Sequence, residues 1–555
     1  MIELTLRVAN SIGEVAPEAW DACANPAGPD RGNGADGPCP AVANLQSAAL
    51  GDRYNPFISH DFLSALEVSQ SVRGRTGWQP MHLLAEDAEG VLLGAVPCYV
   101  KSHSRGEYVF DHGWADAYER AGGSYYPKLQ VSVPFTPATG RRLLARAGPY
   151  ADAVRAHLAD ALTDICRRAG ASSVHVTFPT EPEWDLLGAR GYLKRTHQQF
   201  HWENAGYASF DVFLAALASR KRKTIRRERA DALAAGISVH WLTGTDLTEG
   251  VWDAFFDFYM ETGSRKWGRP YLTRPFYSLV GEKMRDRILL VMAKRNGRWI
   301  AGAINFIGSD TLFGRHWGAI EHHPFLHFEL CYYQAIQYAI EHKLARVEAG
   351  AQGEHKISRG YVPTTTYSAH YIVDPALRRA IEDFLKRERA YVAAAHAELA
   401  DAAPFRKEGQ GERKIMPAYD PNNIFAKILR GELPCYKIYE DDKAFAFLDI
   451  MPRASGHALV LPKAPARNIL DVSPDDLAHV MKVVQKIAKA SVEVFAADGV
   501  TIQQFNESAG GQVVFHLHVH IIPRKIGVAM KPPASVKEAP DVLAEQAKQL
   551  AAALR

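Results

Sequence analysis

The sequence predicts an α/β N-terminal region followed by a smaller α+β C-terminal domain with an antiparallel sheet. Before residue 396, short apolar segments alternate with amphipathic helical stretches in two parts, 1–200 and 201–395, which suggests two related modules. Later in the chain, strand-like stretches flank one long helical stretch. Between these regions, 396–418 is rich in glycine and mixed charge, and we interpret it as a linker.

The length and composition indicate a folded protein of several domains. A chain of 555 residues predicts roughly three packed units at about 100 to 200 residues per domain. Hydrophobic residues make up 47% and charged residues 23% of the chain, as in ordinary globular proteins. The net charge of +3 favours neither nucleic acid nor membrane partners. A glycine- and proline-rich segment from Asn25 to Ala43 predicts a long surface loop.

Cysteine usage and hydropathy bear on the compartment. The six cysteines form no C-x-x-C pair, which is typical of free thiols in a reducing compartment. The N-terminus lacks the basic and apolar run of a secretory signal. No window approaches the roughly 20 consecutive apolar residues that cross a bilayer. We expect a cytoplasmic protein without integral membrane association.

The most informative stretch, at 506–524, reads NESAGGQVVFHLHVHIIPR. Its three histidines, His516, His518 and His520, alternate with apolar residues, and a strand places alternate residues on opposite faces. At about 3.3 Å rise per residue we expect three imidazoles on one face at intervals of about 6.6 Å. Two of them could share a zinc ion, but three could not easily do so.

The residues before the histidines favour nucleophilic chemistry. Gly510 and Gly511 would let backbone N–H groups approach an anion, and Gln512 adds an amide. A neutral imidazole, with an ordinary pKa near 6.5, is a competent nucleophile at pH 7. Donation from its other nitrogen to a backbone carbonyl would fix the tautomer.

The run HLHVHII resembles the signature of the histidine-triad (HIT) family of nucleotide hydrolases and transferases. The resemblance implies a HIT domain over 419–530 and leaves a helical tail at 531–555. It implies that His518 attacks a nucleotide α-phosphate and forms a nucleotidyl-histidine. In the same way, His520 would contact the phosphate, and His516 would orient the nucleophile and help to relay a proton.

The resemblance also implies a nucleotide-binding set. Asn506, Gly511 and Gln512 would surround the phosphate, and Asp449 would hold the ribose hydroxyls. The residues expected at the apolar nucleobase pocket, which could equally be simple core, are Ile424, Phe425, Ile428 and Ile450, with His457 beside them. A purine nucleotide is the implied substrate, no cofactor is required by this domain, and a homodimer is the implied assembly.

Two departures from the family pattern matter. Where many relatives carry C-x-x-C and bind structural zinc, this chain has Asn423 and Ala426, so we expect no zinc. Where some relatives have a serine or threonine after the second glycine, this chain has Val513. The lost hydroxyl contact leaves the preferred leaving group open.

In the N-terminal region the most unusual run is SRKRKTIRRER at 219–229, in which seven of eleven residues are basic. A solvated helix face would explain it. Alternatively, it binds the phosphates of an acyl donor, either coenzyme A or a tRNA. Arg220, Lys223 and Arg227 would share one helix face.

This run, followed by LAAGISVHWL, resembles the Fem-type peptidoglycan aminoacyltransferases, which are pairs of GNAT-like acyltransferase folds. The resemblance implies two GNAT-like modules and an N-acyltransferase that uses acyl-CoA or aminoacyl-tRNA as co-substrate. Candidates to line the cleft between the modules are Lys128, Arg265, Lys266, Glu329, Glu354 and Lys356. A metal set of His322, His323, His327 and Glu329 is disfavoured because Pro324 interrupts any helix there.

Together these features predict a bifunctional fusion of a nucleotide hydrolase or transferase with an acyltransferase. The expected substrates of the first activity are nucleoside phosphoramidates, acyl- or aminoacyl-adenylates, or dinucleoside polyphosphates. The alternative is a HIT module that only senses a nucleotide and regulates an acyltransferase or a non-catalytic scaffold.

Overall fold

The computed structural model describes residues 3–26, 53–267, 270–350, 354–401, 405, 419–507, 510–531 and 537–554. Most of the predicted surface loop and of the predicted linker lies outside these ranges. The chain divides into two compact units, Met1–Arg406 (unit 1) and Lys407–Arg555 (unit 2). The described helices are all too short or too polar to cross a membrane.

Unit 1 contains fifteen strands within the described residues. They are β1 (Thr5–Ala9), β2 (Trp78–Pro80), β3 (His82–Glu86), β4 (Leu92–Val96), β5 (Cys98–Lys101), β6 (Lys128–Val131), β7 (Leu144–Ala145), β8 (Ser173–Thr177), β9 (Leu193–Glu203), β10 (Ile237–Leu242), β11 (Ile288–Arg295), β12 (Arg298–Ile307), β13 (Thr311–Ala319), β14 (Arg346–Glu348) and β15 (Val362–Ile372).

The helices of unit 1 pack around these strands. They are α1 (Pro17–Ala24), α2 (His60–Val68), α3 (His112–Arg120), α4 (Ala151–Arg168), α5 (Glu181–Ala189), α6 (Phe210–Ala216), α7 (Ser219–Leu233), α8 (Glu249–Trp267), α9 (Arg274–Lys283), α10 (Leu326–Phe328), which continues through a π-helical turn (Glu329–Tyr333) into α11 (Gln334–Glu341), and α12 (Pro375–Asp401).

One sheet joins both halves of unit 1. Its eleven strands run in the order β10-β11-β12-β13-β14-β9-β15-β8-β6-β5-β2, and a second sheet has the order β1-β3-β4-β7. The pairs β13–β14 and β6–β8 are parallel. Strand β9 crosses residue 200, the predicted module boundary, and pairs with β14 and β15. The α/β class is confirmed, whereas the division into two GNAT-like modules stays a prediction.

Unit 2 has a five-stranded antiparallel sheet, as predicted. Its strands are β16 (Tyr436–Glu440), β17 (Ala444–Leu448), β18 (Ala458–Pro462), β19 (Gly499–Gln503) and β20 (Val519–Arg524), in the order β16-β17-β18-β20-β19. Its helices are α13 (Ile424–Leu429), α14 (Pro474–Val494) and α15 (Pro540–Ala553).

Alternation along the strands gives this sheet two different faces. On β17, Ala444, Ala446 and Leu448 belong to the core under α14 and α15, whereas Phe445 and Phe447 pack with Phe425 of α13. The small residues admit the long helices, and the phenylalanines fill the other face. The tail predicted after residue 531 contains α15, whose Leu543 and Leu550 are buried in the same core.

A close approach of α8 to β13 yields a stability prediction. A Cβ added to Gly318 would lie 2.0 Å from the Phe258 carbonyl oxygen, whereas one added to Gly250 would meet nothing within 4 Å. Gly318→Ala should destabilise unit 1 by about 1–3 kcal/mol, because helix and strand must separate.

All ten tryptophans lie in unit 1, so their fluorescence during urea unfolding reports on that unit alone. Gly250→Ala is the matched control and should leave the free energy of unfolding unchanged or slightly raised. Equal unfolding midpoints for the two variants would contradict the close approach.

Candidate functional site

The candidate active site of unit 2 lies on the face of the sheet that carries α13. Val519 and Ile521 of β20 are buried beneath α14 and α15, so alternation directs His520 to the opposite face. On that face, Phe425 packs edge-on against the His518 ring, with the ring centroids 4.9 Å apart.

The strand begins later than the sequence predicts. The backbone N–H of His516 bonds to the Val514 carbonyl at 2.9 Å, and that of Leu517 bonds to the Ala466 carbonyl at 2.8 Å. The chain therefore bends before it enters the sheet, and β20 starts at Val519. The expectation of a regular strand through all three histidines is wrong at His516 and His518, and only His520 lies within β20.

A main-chain hydrogen bond fixes the tautomer of His518. Its Nδ1 lies 2.6 Å from the His516 carbonyl oxygen, which can only accept, so Nδ1 carries the hydrogen. Nε2 is then left with a free lone pair. The ring is buried, and burial lowers its pKa below the ordinary value. His518 is therefore a neutral imidazole with a nucleophilic Nε2 at pH 7.

A second hydrogen-bond chain fixes His520. The backbone N–H of Arg453 donates to His457 Nδ1 at 3.3 Å, so His457 carries its hydrogen on Nε2. That Nε2 donates to His520 Nδ1 at 3.0 Å. His520 must therefore hold its own hydrogen on Nε2, as a donor for an anion. The position of His457 beside the nucleobase pocket stays a prediction, and the contact that the structure shows for its ring is the one with His520.

Desolvation keeps this imidazole cluster uncharged. Burial is the largest cause of each shift, and it lowers the pKa of His457 and of His516 to about 4 and that of His520 to about 3. The neighbouring imidazoles and Arg453 lower the pKa of His520 further. At neutral pH the site therefore acts through lone pairs and N–H groups rather than through imidazolium charge.

His516 contacts His518 through its main-chain carbonyl. Its ring lies elsewhere, since Nε2 donates to the Pro462 carbonyl at 2.9 Å and Nδ1 accepts from the Tyr419 hydroxyl at 2.6 Å. Both ring nitrogens are engaged, which leaves the ring no contact with His518 for relaying a proton. Tyr419 was missed by sequence reasoning, because nothing in its local pattern marks it.

Asp449 follows β17 and is partly exposed. One carboxylate oxygen accepts from the Met451 backbone N–H at 2.9 Å, and the other lies 3.5 Å from His457 Nδ1. Burial raises its pKa. The four residues predicted at the nucleobase pocket differ in exposure. Ile424 and Ile450 are strongly exposed, Ile428 is partly buried and Phe425 is buried.

The glycine-rich loop is built differently from the expectation. Gly511 has φ +86, a left-handed conformation that favours glycine. Gln512 is buried, its amide nitrogen donates to the carbonyls of Arg467 and Val514, and its oxygen accepts from the Glu507 N–H. The expectation that its amide serves the phosphate is therefore corrected, since Gln512 shapes the loop.

The other two loop residues considered in the sequence analysis are Asn506 and Val513. The Asn506 side-chain oxygen accepts from the Ile469 N–H at 3.0 Å, and its amide pairs with that of Gln504. Val513 is 86% exposed, and its side chain has no hydroxyl group to offer a phosphate.

One group of described residues could hold a metal ion. The possible ligand atoms of Asp449, His457 and His520 lie within 4.8 Å of one another. The 3.0 Å hydrogen bond between the two imidazoles uses one nitrogen of each, so an ion would have to displace it. At the position of the family's cysteines, Asn423 caps α13 by accepting from the N–H groups of Phe425 and Ala426.

The predicted basic run forms helix α7 of unit 1. Ile225, Glu228 and Ala232 are its buried face, and Arg220, Lys223 and Arg227 are exposed as expected. Only Arg220 of these three lines a pocket of about 370 Å³, together with Lys221, Arg359 and Glu228 among others. Arg227 instead pairs with Asp231 on the outer face.

The other proposed cleft residues have structural partners. Lys128 is fully buried, with Glu107 and Asp111 at 2.7 and 2.5 Å. Glu329 pairs with Arg229, and Lys356 donates to the carbonyls of Ala349 and Gly350. These three therefore do not face a cleft. The side chains of Arg265, Lys266 and Glu354 lie outside the described residues.

The histidine cluster near residue 322 shows no metal geometry. His322 is exposed, and His323 bonds to Glu321 at 2.8 Å. The His327 ring packs edge-on against Trp317. Among the described residues, the only group with metal-ligand spacing is the one in unit 2.

Sequence reasoning missed the larger cavity of unit 1. A cavity of about 690 Å³ is lined by residues that include His201 on β9 and Glu348 on β14. The one signal for Glu348 was an acid inside the short apolar strand of ARVEAG. Its partner residues are remote in the sequence, so the pattern gave no reason to select it.

Comparison with known proteins agrees with this division. A family model described as FemAB-like, peptidoglycan biosynthesis/recognition, matches residues 11–407, which is more than half of the chain. A HIT-domain model matches residues 430–527. The chain belongs to the FemAB-like family, and its C-terminal unit belongs to the HIT family. Units 1 and 2 are called the FemAB-like and HIT units below.

Curated relatives that match the HIT unit include two with named activities. One is an adenylylsulfatase, HINT3 of Arabidopsis thaliana, at 36% identity over 26% of this chain and 74% of the relative. Another is the adenosine 5′-monophosphoramidase hnt1 of Schizosaccharomyces pombe, at 39% identity over 18% of this chain and 73% of the relative. A solved HIT-like protein of Bartonella henselae is 52% identical over 24% of this chain and 98% of its own, with a TM-score of 0.24.

The buried imidazoles make the stability of the HIT unit depend on pH. Folding lowers the pKa values of His457, His516 and His520, so the folded unit binds fewer protons than the unfolded chain below pH 6.5. Their contribution is present above pH 6.5 and is lost as pH falls toward 4, at up to about 2 kcal/mol per group by pH 5.

Hydrogen exchange along β20, corrected for intrinsic rates, should therefore show lower protection at pH 5 than at pH 7. A His457→Gln variant removes one of the three groups and should show a smaller difference. Equal protection at the two pH values in the unaltered chain would contradict the desolvation argument.

Proposed function

We propose that this chain is a bifunctional enzyme. The HIT unit hydrolyses or transfers nucleotides through His518, and the FemAB-like unit transfers an acyl group to an amine. The observation that carries the first activity is the pair of opposite tautomers, a lone pair on His518 Nε2 beside a donor on His520 Nε2. This is the arrangement that attack on a phosphate ester or amide requires.

In the proposed reaction, His518 Nε2 forms a bond to the α-phosphorus, and the bond from phosphorus to the leaving group breaks. The leaving group departs with the electron pair of that bond and takes a proton from solvent. His520 donates its Nε2–H as a hydrogen bond to a phosphate oxygen as charge develops there. Water then attacks the nucleotidyl-histidine and gives one proton to solvent, which releases the nucleotide and restores the lone pair of His518. None of these steps uses a cofactor.

The residues around the imidazoles support a purine nucleotide as substrate. The partly exposed carboxylate of Asp449 would accept from ribose hydroxyls, and the exposed Ile424 and Ile450 would offer apolar surface to a base. The relatives named adenylylsulfatase and adenosine 5′-monophosphoramidase support adenylates and phosphoramidates as substrates. Dinucleoside polyphosphates are a further candidate, and we propose a homodimer of this unit.

Replacement of the nucleophile tests this assignment. With adenosine phosphoramidate, the full chain should release a burst of leaving group and form an adenylylated protein that survives denaturation. His518→Ala should lose both and at least 10³-fold in kcat, because no other described group replaces the attacking nitrogen. His479→Ala, remote from the site on α14, is the control. Full activity of His518→Ala would refute the assignment.

The same measurement separates catalysis from regulation. A sensing module would bind AMP at the same site without a burst and without a covalent adduct. In that case the nucleotide should instead change the activity of the FemAB-like unit.

For the FemAB-like unit we propose that the pocket beside α7 holds the phosphates of acyl-CoA or of an aminoacyl-tRNA. The pocket gathers Arg220, Lys221 and Arg359. Arg359 is buried and pairs through Nη2 with Glu228 at 2.9 Å, while its Nε has no hydrogen-bond partner among the described residues. An unpartnered guanidinium donor is suited to an anionic ligand. The basic run would thus be partly a binding element and partly a solvated face.

Arg220 lies in the pocket and Arg227 lies outside it, so variants at these two positions test the proposal. Arg220→Ala should weaken binding of coenzyme A or tRNA about tenfold, since a charged hydrogen bond contributes about 1.5 kcal/mol or more. Arg227→Ala, outside the pocket and paired with Asp231, should change it less than twofold. Calorimetric titration at low salt measures both. Equal effects would indicate nonspecific attraction to a basic surface.

A further inference from the structure

The 690 Å³ cavity of the FemAB-like unit is lined by both charge signs. Arg53, Arg155 and Arg346 line it, and each of them pairs with a carboxylate, on Asp310, Asp152 and Glu203, respectively. Arg141 also lines it and donates to the Ala24 carbonyl. Three of the four lining arginines are therefore neutralised by neighbouring carboxylates. The cavity has the volume of a small-molecule site, and its recognition chemistry has to be sought among its other polar groups.

Two buried acceptors in this cavity lack partners. Glu348 is 5% exposed and His201 is 2% exposed, and both line the cavity. Glu348 Oε2 and His201 Nδ1 have no hydrogen-bond partner within the described part of the chain. The two residues face each other across β14 and β9, with Glu348 Oε2 4.0 Å from His201 Nε2.

A chain of hydrogen bonds fixes the tautomer of His201. The Gln199 amide nitrogen donates to the Pro137 carbonyl at 2.9 Å, so the amide oxygen is the end that meets His201. His201 Nε2 donates to that oxygen at 3.3 Å. Nδ1 therefore holds a lone pair, and both unpartnered atoms are acceptors.

Glu183, which lines the same cavity, is a buried carboxylate whose hydrogen bonds are all made within the protein. Its carboxylate accepts from the N–H groups of Arg142, Leu143 and Thr180 and from the Thr180 hydroxyl. Buried polar groups in native proteins are normally paired in this way. Glu348 departs from that rule on a cavity wall, where a ligand can supply the missing donors.

We propose that this cavity binds a primary amine, with Glu348 as the base that accepts its proton and His201 as a second acceptor. An ammonium group offers three N–H donors to two acceptors, which an anion or a carbonyl cannot do. The amine is then the acceptor substrate of the acyl transfer, so the inference rests on the transferase proposed above and specifies its substrate class.

The electrostatic surroundings fit this role. Desolvation raises the pKa of Glu348 to about 7, against the opposing effect of Arg346 and of a backbone hydrogen bond from Thr139. Glu203 and Arg315 act on it more weakly and in opposite directions. Burial lowers the pKa of His201 to about 3, so it stays neutral. A base whose pKa is close to the working pH is well matched to proton transfer.

The step balances without a further reactant beyond an acyl thioester or ester. The ammonium gives one proton to Glu348, and its nitrogen forms a bond to the acyl carbonyl carbon. The nitrogen loses a second proton to solvent as the carbon–sulfur or carbon–oxygen bond breaks. Glu348 then returns its proton to the departing sulfur or oxygen, which leaves an amide and an ionised carboxylate.

Binding of n-pentylamine and of its neutral isostere 1-pentanol to the full chain tests the proposal by calorimetry. The amine should bind and the alcohol should not. Because the ionised carboxylate binds the ammonium, affinity at pH 6 should be about tenfold weaker than at pH 8. Glu348→Gln should lose at least tenfold at pH 8 and remove the pH dependence. Glu181→Gln, exposed at the cavity rim, should stay within twofold.

A second variant guards against a folding artefact. Glu348→Met replaces an unpartnered acceptor with an apolar side chain, so it should raise the melting temperature of the ligand-free protein while it abolishes amine binding. Binding of pentanol equal to that of pentylamine, full affinity in both Glu348 variants, or no amine binding at any pH would each overturn the proposal.

The failure of this inference can be told apart from failure of the transferase. Amine binding that depends on Glu348, without acyl transfer from any acyl-CoA or aminoacyl-tRNA, would leave the amine site standing and refute the transferase. Acyl transfer that persists unchanged in Glu348→Gln would support the transferase and refute the amine site at Glu348.

Discussion

Both sites depend on the desolvation of imidazole. A buried histidine loses its charge, and what remains is a ring whose two nitrogens differ only through the hydrogen bonds they make. In the HIT unit the His516 carbonyl fixes His518 as an Nε2 acceptor, while Arg453 and His457 fix His520 as an Nε2 donor. The two tautomers are thus set by main-chain groups, the His516 carbonyl directly and the Arg453 N–H through the ring of His457.

The FemAB-like unit shows the same physics applied to carboxylates. Its sheet buries many charged groups, and most of them are paired: Lys128 with Glu107 and Asp111, and Arg195 with Glu388. An ion pair offsets part of the cost of burial, so these groups have partners within the fold itself. Glu107 and Asp111 each keep one oxygen without a hydrogen-bond partner among the described residues, as Glu348 does, but both pair with Lys128. Glu348 instead lines the 690 Å³ cavity and forms no ion pair with a lysine or arginine in the described part of the chain. That contrast within one sheet distinguishes a binding group from a core group.

Sequence patterns predicted the features that local alternation controls. The apolar positions of Val519 and Ile521 and the antiparallel sheet of unit 2 followed from residue order alone, as did the helix carrying Arg220. The bend at His516 did not, because it depends on a bond between Leu517 and Ala466, and Ala466 belongs to a distant segment. Glu348 was missed for the same reason, since His201 reaches it only through the β9–β14 pairing.

The departures from the family pattern follow from hydrogen bonds that replace other contacts. Asn423, at a cysteine position of many relatives, caps α13 through two N–H groups, a contact that contributes about 1 kcal/mol. Tyr419, just before this helix, holds the ring of His516. Because α13 places Phe425 against His518, these bonds connect the start of the unit to its nucleophile. The Asn423 amide thus acts on His518 through the position of Phe425, and the Tyr419 phenol acts on it through His516, whose carbonyl bonds to His518 Nδ1.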